Sequence, residues 1–380
     1  MRIRCVQTEA EFGALAPQWA ELLTRSAETS PLVSHDWFAC CWQTVTPTAD
    51  PEVLVVEDGG QPVAFVPLMR WPERNHGMPT RSLGLLECPD SVFIDLVAVG
   101  DLPSVAEAIG DHLASRRDWD VLTLKLRATS PSLKALEGAL RGRFGWQPAG
   151  KLQSPYVAVG GGWEPFWRGK TQRFRKTLRN VQNRLERAGR VTVEEHCTLD
   201  PRSPLFQEVL ELTSRSWKAD RRVAIATMPR MPEFFAELTG RASQQGWLSL
   251  WLLRLGGRLI AVEWQLQAGG RVYALRSDFD EAYGELSPGS ALNLAIMQAL
   301  FGREGVHEYD MGPGLSEYKL RWATGTHETL RIRVYPRGVR GRAAWIADTA
   351  VAPLVRRIRE RLRDPGRGGA ARPVAETPAG

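Results

Sequence analysis

The sequence predicts an α/β protein of two similar domains in tandem, each a mixed central sheet flanked by helices. Three observations predict it. The order hairpin, strand, helix, strand occurs once in each half. Two helical stretches precede each hairpin. The helix that follows joins two β-rich runs, and such a crossover lays parallel strands side by side. A length of 380 residues agrees, since domains run to roughly 100–200 residues each.

In the first half, helical stretches at Thr8–Ser26 and Asp36–Thr44 precede the runs Val53–Val56 and Val63–Met69. Glu57-Asp58-Gly59-Gly60 joins those runs with hairpin-turn chemistry. Val92–Val97 reads as the next strand. Asp101-Leu102-Pro103-Ser104 opens a helix to about Arg117, and Val121–Leu126 is the following strand. In the second half, Leu205–Asp220 and Met231–Gln245 are helical, and Gly256-Gly257 joins Leu248–Arg254 to Leu259–Leu266. Val272–Arg276, a helix from Pro288 to about Phe301 and the strand Val306–Met311 complete the pattern. The expected organisation is an N-terminal domain over 1–150 that binds no cofactor and a C-terminal domain over 151–336. A basic helix over 337–363 and a Pro-, Gly- and Ala-rich tail over 364–380 follow.

Hydrophobic residues make up 43% and charged residues 24%, the balance of a soluble globular protein. No stretch approaches the roughly 18 apolar residues of a membrane span, and the first residues lack a signal-peptide core. The expectation is a cytoplasmic protein. The five cysteines have no metal-type spacing, and an odd count argues against a closed disulfide framework. The six histidines form no readable metal cluster, so no metal is expected. His307 and Asp310 lie three apart in a strand and point to opposite faces.

The two crossover helices begin differently. The second opens with Ser287-Pro288-Gly289-Ser290, which sets Ser287 at N-cap and Pro288 at N1. Gly289 and Ser290 are small enough for a ligand to approach the backbone. Unpaired N–H groups and the helix dipole favour anions at such an entry. The first helix opens with Asp101, whose charge would occupy that end and repel a phosphate. A phosphorylated donor is therefore expected in the second half only.

At these residues the chain resembles a known family. The matching residues are Ser216-Trp217-Lys218, Gly256-Gly257 with Leu259-Ile260-Ala261, and Asp278-Phe279-Asp280-Glu281-Ala282-Tyr283. Ser287-Pro288-Gly289, Tyr309-Asp310-Met311-Gly312 and Glu317-Tyr318-Lys319-Leu320-Arg321-Trp322 follow in order. Together they resemble the GNAT-type acyltransferases, in particular CelD-like or BioF2-like acetyltransferase domains, which are related to the Fem peptidyl transferases with their tandem GNAT-like domains. The resemblance covers Phe166 to Trp322 well and Thr8 to Leu126 more weakly, there through Ser30-Pro31-Leu32 and His35-Asp36-Trp37. Simple GNAT enzymes carry a Gln/Arg-x-x-Gly-x-Gly/Ala loop where this chain has Ser287-Pro288-Gly289-Ser290, with fewer glycines.

The resemblance implies acyl transfer, with acetyl-CoA or another acyl-CoA as co-substrate, to a cell-envelope or exopolysaccharide precursor or a related small acceptor. The Fem relatives imply an alternative, aminoacyl-tRNA as donor. A third reading is a catalytically silent binding component of a polysaccharide-synthesis assembly. The donor would lie along Val272–Arg276, with Arg276 and Ser287, Pro288, Gly289 and Ser290 binding it. Lys319, after a Gly-Pro-Gly loop, is the sharpest catalytic candidate, since its charge can steady an oxyanion or a phosphate. Tyr318 is either a proton donor or a half-buried aromatic. Asp278 and Asp310 stand near strand ends, where α/β ligands bind, and are either general bases or turn caps. Glu263 is either solvent-facing or a cleft carboxylate with a raised pKa.

Net charge is +6, and the excess concentrates in Arg168–Arg190 and Arg337–Arg372. Phe174, Leu178, Val181, Leu185 and Ala188 recur at helical spacing, so the first segment is an amphipathic helix with a basic outer face. Arg175, Lys176 and Arg179 on it, with Trp217, are candidates to bind an anionic acceptor, and a tRNA backbone is the other partner such a face fits. Trp163, Phe166 and Trp167 either stack on a sugar or base or fix a junction. Ala343–Arg363 reads as a further helix that either docks on the domains or touches an anionic membrane surface.

Overall fold

The computed structural model describes residues 1–26, 28–44, 48–88, 91, 95–220 and 224–354, apart from the side chains of Trp217 and Asp220. The tail over 364–380 and most of the basic segment beyond Leu354 lie outside the described residues.

The strands are β1 (Arg2–Val6), β2 (Asp50–Asp58), β3 (Gln61–Asn75), β4 (Met78–Leu85), β5 (Val97–Ala98), β6 (Val121–Arg127) and β7 (Gly145–Ala158). They continue with β8 (Val191–His196), β9 (Leu248–Leu255), β10 (Arg258–Ala268), β11 (Arg271–Phe279), β12 (Glu308–Asp310) and β13 (Gly325–Tyr335). The helices are α1 (Glu9–Gly13), α2 (Ala16–Arg25), α3 (His35–Thr44), α4 (Leu102–Ser115), α5 (Pro131–Arg141), α6 (Trp163–Gly169) and α7 (Gln172–Ala188). After them come α8 (Pro204–Ser214), α9 (Trp217–Asp220), α10 (Met231–Gln245), α11 (Pro288–Phe301), α12 (Glu317–Trp322) and α13 (Val339–Ile346).

The two expected hairpins form where the glycine pairs stand. Gly59 and Gly60 take φ of 57° and 81°, and Gly256 and Gly257 take 58° and 86°. Left-handed backbone at both turn positions matches the twist of the flanking strands. The expected helix over Thr8–Ser26 is divided into α1 and α2, with Pro17 in the first turn of α2. Leu205–Asp220 likewise divides, into α8 and α9.

The parallel pairs sit in corresponding places. β11 pairs β12 across α11, as the sequence implies. In the first half β6 pairs in parallel with β4, not with a strand at Val92–Val97. Only Val97 of that run lies in a described strand, and β5 pairs antiparallel with β3. Residues 92–94 lie outside the described residues.

One sheet of thirteen strands runs through both halves, in the order β1-β2-β3-β4-β6-β13-β7-β12-β11-β10-β9-β8, with β5 off this path on β3. The last strand of each half has crossed over. β13 lies between β6 and β7, pairing Thr329–Val334 with β6 and its whole length with β7. β7 in turn pairs with β12. A cut at residue 150 passes through β7.

Burial follows the same plan. One core joins Trp19, Phe38 and Phe65 of the first half to Phe206, Phe234 and Trp264 of the second. Trp37 meets Phe234 edge-on at 5.5 Å. A second core, on the opposite face of the second half, packs Phe174, Leu178, Val181 and Leu185 of α7 against Leu292, Ile296 and Leu300 of α11. Ala188, expected in the same stripe, is exposed. Trp163, Phe166 and Trp167 pack on Phe301 and Trp322. At the C-terminal end Val339, Trp345, Ile346, Val351 and Leu354 are exposed.

A chain ending at residue 324 lacks β13, which leaves β6 paired only with β4 and β7 only with β12. Circular dichroism and amide exchange on it should show both halves losing protection together. Native protection retained in β2–β4 would contradict this. Trp264→Ala, which empties a site 1% exposed between the halves, should cost about 3–5 kcal/mol in denaturant unfolding.

Candidate active site

The parallel pair at the centre of the second half parts after three residues. β11 and β12 pair only over Arg271–Tyr273 and Glu308–Asp310. β11 then runs on to Phe279 along β10, while the other chain turns away into Met311-Gly312-Pro313-Gly314. Beyond Tyr273 the outer edge of β11 has no strand partner among the described residues, so its peptide groups line a cleft. Such groups demand partners. Gly270 ties the closed end of the pair: its carbonyl accepts from the His307 and Glu308 N–H groups at 2.8 and 3.4 Å. A Cβ there would collide with the His307 ring and the Gly305 carbonyl.

α11 opens at this cleft. Ser287 takes a left-handed conformation, φ 54°, and its side chain makes no capping hydrogen bond. The expected hydroxyl cap is thus replaced by a backbone one, with the Ser290 and Ala291 N–H groups donating to the Ser287 carbonyl at 3.0 and 3.3 Å. Pro288 has no N–H, and at Gly289 the helix supplies no acceptor. The entry is neutral and narrow. In the first half, by contrast, Asp101 caps α4 through the Ser104 N–H at 3.4 Å and the Ser104 hydroxyl at 2.6 Å. β4 also ends at Leu85, one residue past its pairing with β6, so no comparable strand edge is exposed.

Alternation along the strands sorts the candidate side chains onto two faces. On the α11 face, Glu263 is 4% exposed. It accepts from the Tyr309 hydroxyl at 2.5 Å and from Gln265 Nε2 at 2.7 Å, and Ser277 also bonds to it. Burial pushes its carboxyl above the usual range, against the pull of those bonds and of Lys319. Asn293 of α11 donates Nδ2–H to the Tyr309 oxygen at 3.4 Å. Asn293 Oδ1 is buried with no hydrogen-bond partner among the described residues. Burial and the Glu263 charge push the Tyr309 hydroxyl far up.

Lys319 stands on α12, just past the Gly312-Pro313-Gly314 loop. Its Nζ donates to the Gly312 and Pro313 carbonyls at 3.1 and 2.9 Å. An ammonium has three N–H donors, so one remains for a ligand. Burial brings the amine down from 10.5 to about 8, with Asp310 and Glu263 opposing and Lys218 assisting. The Tyr318 ring is 48% exposed, yet its hydroxyl lies near Ser316 and Glu263 and is pushed up by burial first and the carboxylate second.

The remaining candidates are engaged elsewhere. Asp278 faces the other side of the sheet, where Ser216 Oγ donates to it at 2.8 Å and Lys218 and Arg276 each stand 3.3 Å away. Arg276 is thereby turned to its own strand neighbour. Asp310 bonds Arg127 of β6 at 3.0 Å and the Gly312 N–H at 2.9 Å. Burial pushes its carboxyl up, and the Gly312 bond and Arg127 pull it back. On α7, Arg175 is half-buried while Lys176 and Arg179 are exposed. The Trp217 side chain lies outside the described residues.

The structure therefore brings Glu263, Tyr318 and Lys319 together with the α11 entry, turns Asp278 to the other face of the sheet, and engages Asp310 with Arg127 and the Gly312 N–H. Tyr309 and Asn293 complete the cluster and were not assigned roles from the sequence. Their only signal was position, Tyr309 being one residue out of phase with Asp310. Among the described residues no group of His, Cys, Asp or Glu side chains could hold a metal ion. No helix among them is long and apolar enough to cross a membrane.

Residues 172–320 match the family described as "Acetyltransferase (GNAT) domain". Solved structures share the whole arrangement. A conserved protein of unknown function from Bacteroides thetaiotaomicron aligns with TM-score 0.57 and 14% identity, over 88% of this chain and 100% of its own. FemX aligns with TM-score 0.54 and 12% identity, over 88% and 97%. A tandem GNAT protein from the clavulanic acid biosynthesis pathway aligns with TM-score 0.51 and 12% identity, over 89% and 99%. At these identities the likeness is one of fold. No curated protein matches the chain.

Two outcomes follow from the buried charges. pH-dependent labelling with an amine reagent, read by mass spectrometry, should give Lys319 a midpoint near 8, below the ordinary 10.5 of a lysine side chain. A Lys319 midpoint at that ordinary value would contradict its burial. Glu263 has a folded pKa above its unfolded 4.5, so the stability it contributes is full below that value and is lost as pH rises through the folded pKa. Glu263→Gln should remove that loss, so its melting temperature should gain on the parent's as pH rises from about 4.5.

Proposed function

We propose that this chain takes an acyl group from acyl-CoA, with acetyl-CoA the first donor to test. It passes that group to an amine or hydroxyl of a cell-envelope or exopolysaccharide precursor or a related small acceptor. One observation carries the reading: the open edge of β11 ends at the neutral entry of α11, with Glu263, Tyr309, Tyr318 and Lys319 converging behind it. The amide-bearing arm of coenzyme A pairs with the free strand edge as an added strand would. Its diphosphate meets the Gly289 N–H group and the positive end of the α11 dipole.

In the transfer itself, the acceptor nitrogen or oxygen attacks the thioester carbon and gives its proton to Glu263. A carboxylate whose pKa is raised by burial suits that role. The carbonyl oxygen gains negative charge, which the remaining Lys319 N–H stabilises. Collapse breaks the carbon–sulfur bond; Tyr318 supplies the proton that the departing thiolate takes and regains one from the protonated Glu263 beside it, which restores both groups.

A second reading, an aminoacyl-tRNA donor as in the Fem group, draws on α7. Arg173, Lys176, Arg179, Arg184 and Arg187 are exposed, and no carboxylate among the described residues pairs with them. The exposed apolar residues from Val339 to Leu354 suit contact with an anionic surface beside the arginines that follow.

Calorimetry with acetyl-CoA tests the first reading. Gly289 has ordinary φ, and a Cβ there meets Phe279 at 3.5 Å, so Gly289→Ala should keep the heat of binding. Gly289→Asp adds a charge that a helix N-terminus tolerates, so the fold should stand while binding falls at least about tenfold, or 1.4 kcal/mol. No heat with the parent chain, but retention of aminoacyl-tRNA, would favour the second reading. Neither would leave a binding component.

A further inference from the structure

The first half reaches the site of the second. Arg127 is the last residue of β6, in register with Thr329 of β13. Its Nη2 lies 3.0 Å from Asp310 Oδ2, and both side chains are buried, at 10% and 3% exposure. The other oxygen of the same carboxylate, Oδ1, accepts the Gly312 N–H at 2.9 Å. Gly312 holds φ at 73°, a conformation other residues rarely adopt. Its carbonyl and that of Pro313 are the two acceptors of the Lys319 ammonium. A continuous line of charge-assisted hydrogen bonds thus runs from β6, through Asp310 and the glycine loop, to the amine at the cleft.

We propose that Arg127 is a positioning residue for the active site, holding Asp310 so that the carboxylate anchors the Gly312–Pro313 turn that aims Lys319 into the cleft. The inference rests on the acyl-transfer reading for what Lys319 does, but not for how Lys319 is held. Its physical basis is the cost of leaving a buried carboxylate without its cation, together with the planarity of guanidinium, which a single ammonium does not reproduce. The charged groups around the line are His327 of β13 and Glu308 of β12 beside Asp310. Glu263 and Lys218 are the other charges that act on Lys319. No other cation from the first half reaches Asp310 among the described residues.

Two readouts test this without knowledge of the acceptor: amide exchange at Gly312, and the pH midpoint of Lys319 labelling. Arg127→Met should speed Gly312 exchange by at least about tenfold, the scale of one charge-assisted bond, and should move the Lys319 midpoint away from its parent value. Arg127→Lys keeps the charge and should fall between the two, and it serves alone if the Met variant does not fold. The control is Arg333→Met, which breaks a bridge to Asp348 at 2.6 Å elsewhere on β13 and should leave both readouts in place. Unchanged Gly312 exchange and Lys319 midpoint in the Arg127 variants would overturn the proposal. So would equal shifts in the Arg333 variant, which would mark general loosening. Acetyl-CoA calorimetry on Arg127→Met should show affinity within about twofold of the parent, a difference under about 0.5 kcal/mol. A failure of the donor reading would then appear in the parent chain, and a failure of this inference only in the exchange and labelling data.

Discussion

The crossing of β7 and β13 is the constraint on which the rest depends. A sheet edge left unpaired must find a partner or be covered, and here each half supplies the strand that the other lacks. The central strands of both halves therefore share one hydrogen-bonded ladder, and one hydrophobic core crosses between them. The halves cannot drift as linked domains do, because the seam is made of ladder bonds and buried aromatic rings rather than a surface patch.

That seam also shapes the opening in the second half. β12 has only three residues, and β7 takes its far side. The longer β11 is then left with a free edge, and the chain after Asp310 must turn. The turn needs glycine at two positions, Gly312 and Gly314, both with positive φ. It brings Lys319 back across the opening. In the first half β4 is too short to leave such an edge, and Asp101 fills the helix entry. The asymmetry lies in strand length and one cap, within a common plan.

Much of the plan was legible in the residues. The glycine pairs at Gly59-Gly60 and Gly256-Gly257 fix two hairpins by local backbone chemistry, and the apolar stripe of α7 follows its period. Helix α11 and its flanking strands were equally plain. The exchange was not, because pairing between β13 and β6 joins residues about 200 apart, and no local pattern records it. β4 escaped notice since Pro79 and Arg81 interrupt an apolar run. Among the site residues, Glu263, Tyr318 and Lys319 could be nominated by type and place. Which face each carboxylate took could not, since a shift of one residue in register sends Asp278 or Glu263 to the other side of the sheet. The backbone cap at Ser287 was hidden for a similar reason: a Ser-Pro-Gly sequence fits a side-chain cap and a left-handed turn equally well.

The tight fit at Gly270 has a geometric consequence. The parallel strands meet there, stay paired through Tyr273 and Asp310 and separate only beyond them, so the opening behaves as a pair of arms held together by one short paired segment. A change of a few tenths of an ångström at that segment becomes a much larger change in gap where the reacting groups lie. With the His307 ring and the Gly305 carbonyl pressed against the Gly270 Cα, no side chain can enter to spread the arms. The aperture is thus set by the smallest residue in the chain, far from the groups that do the chemistry.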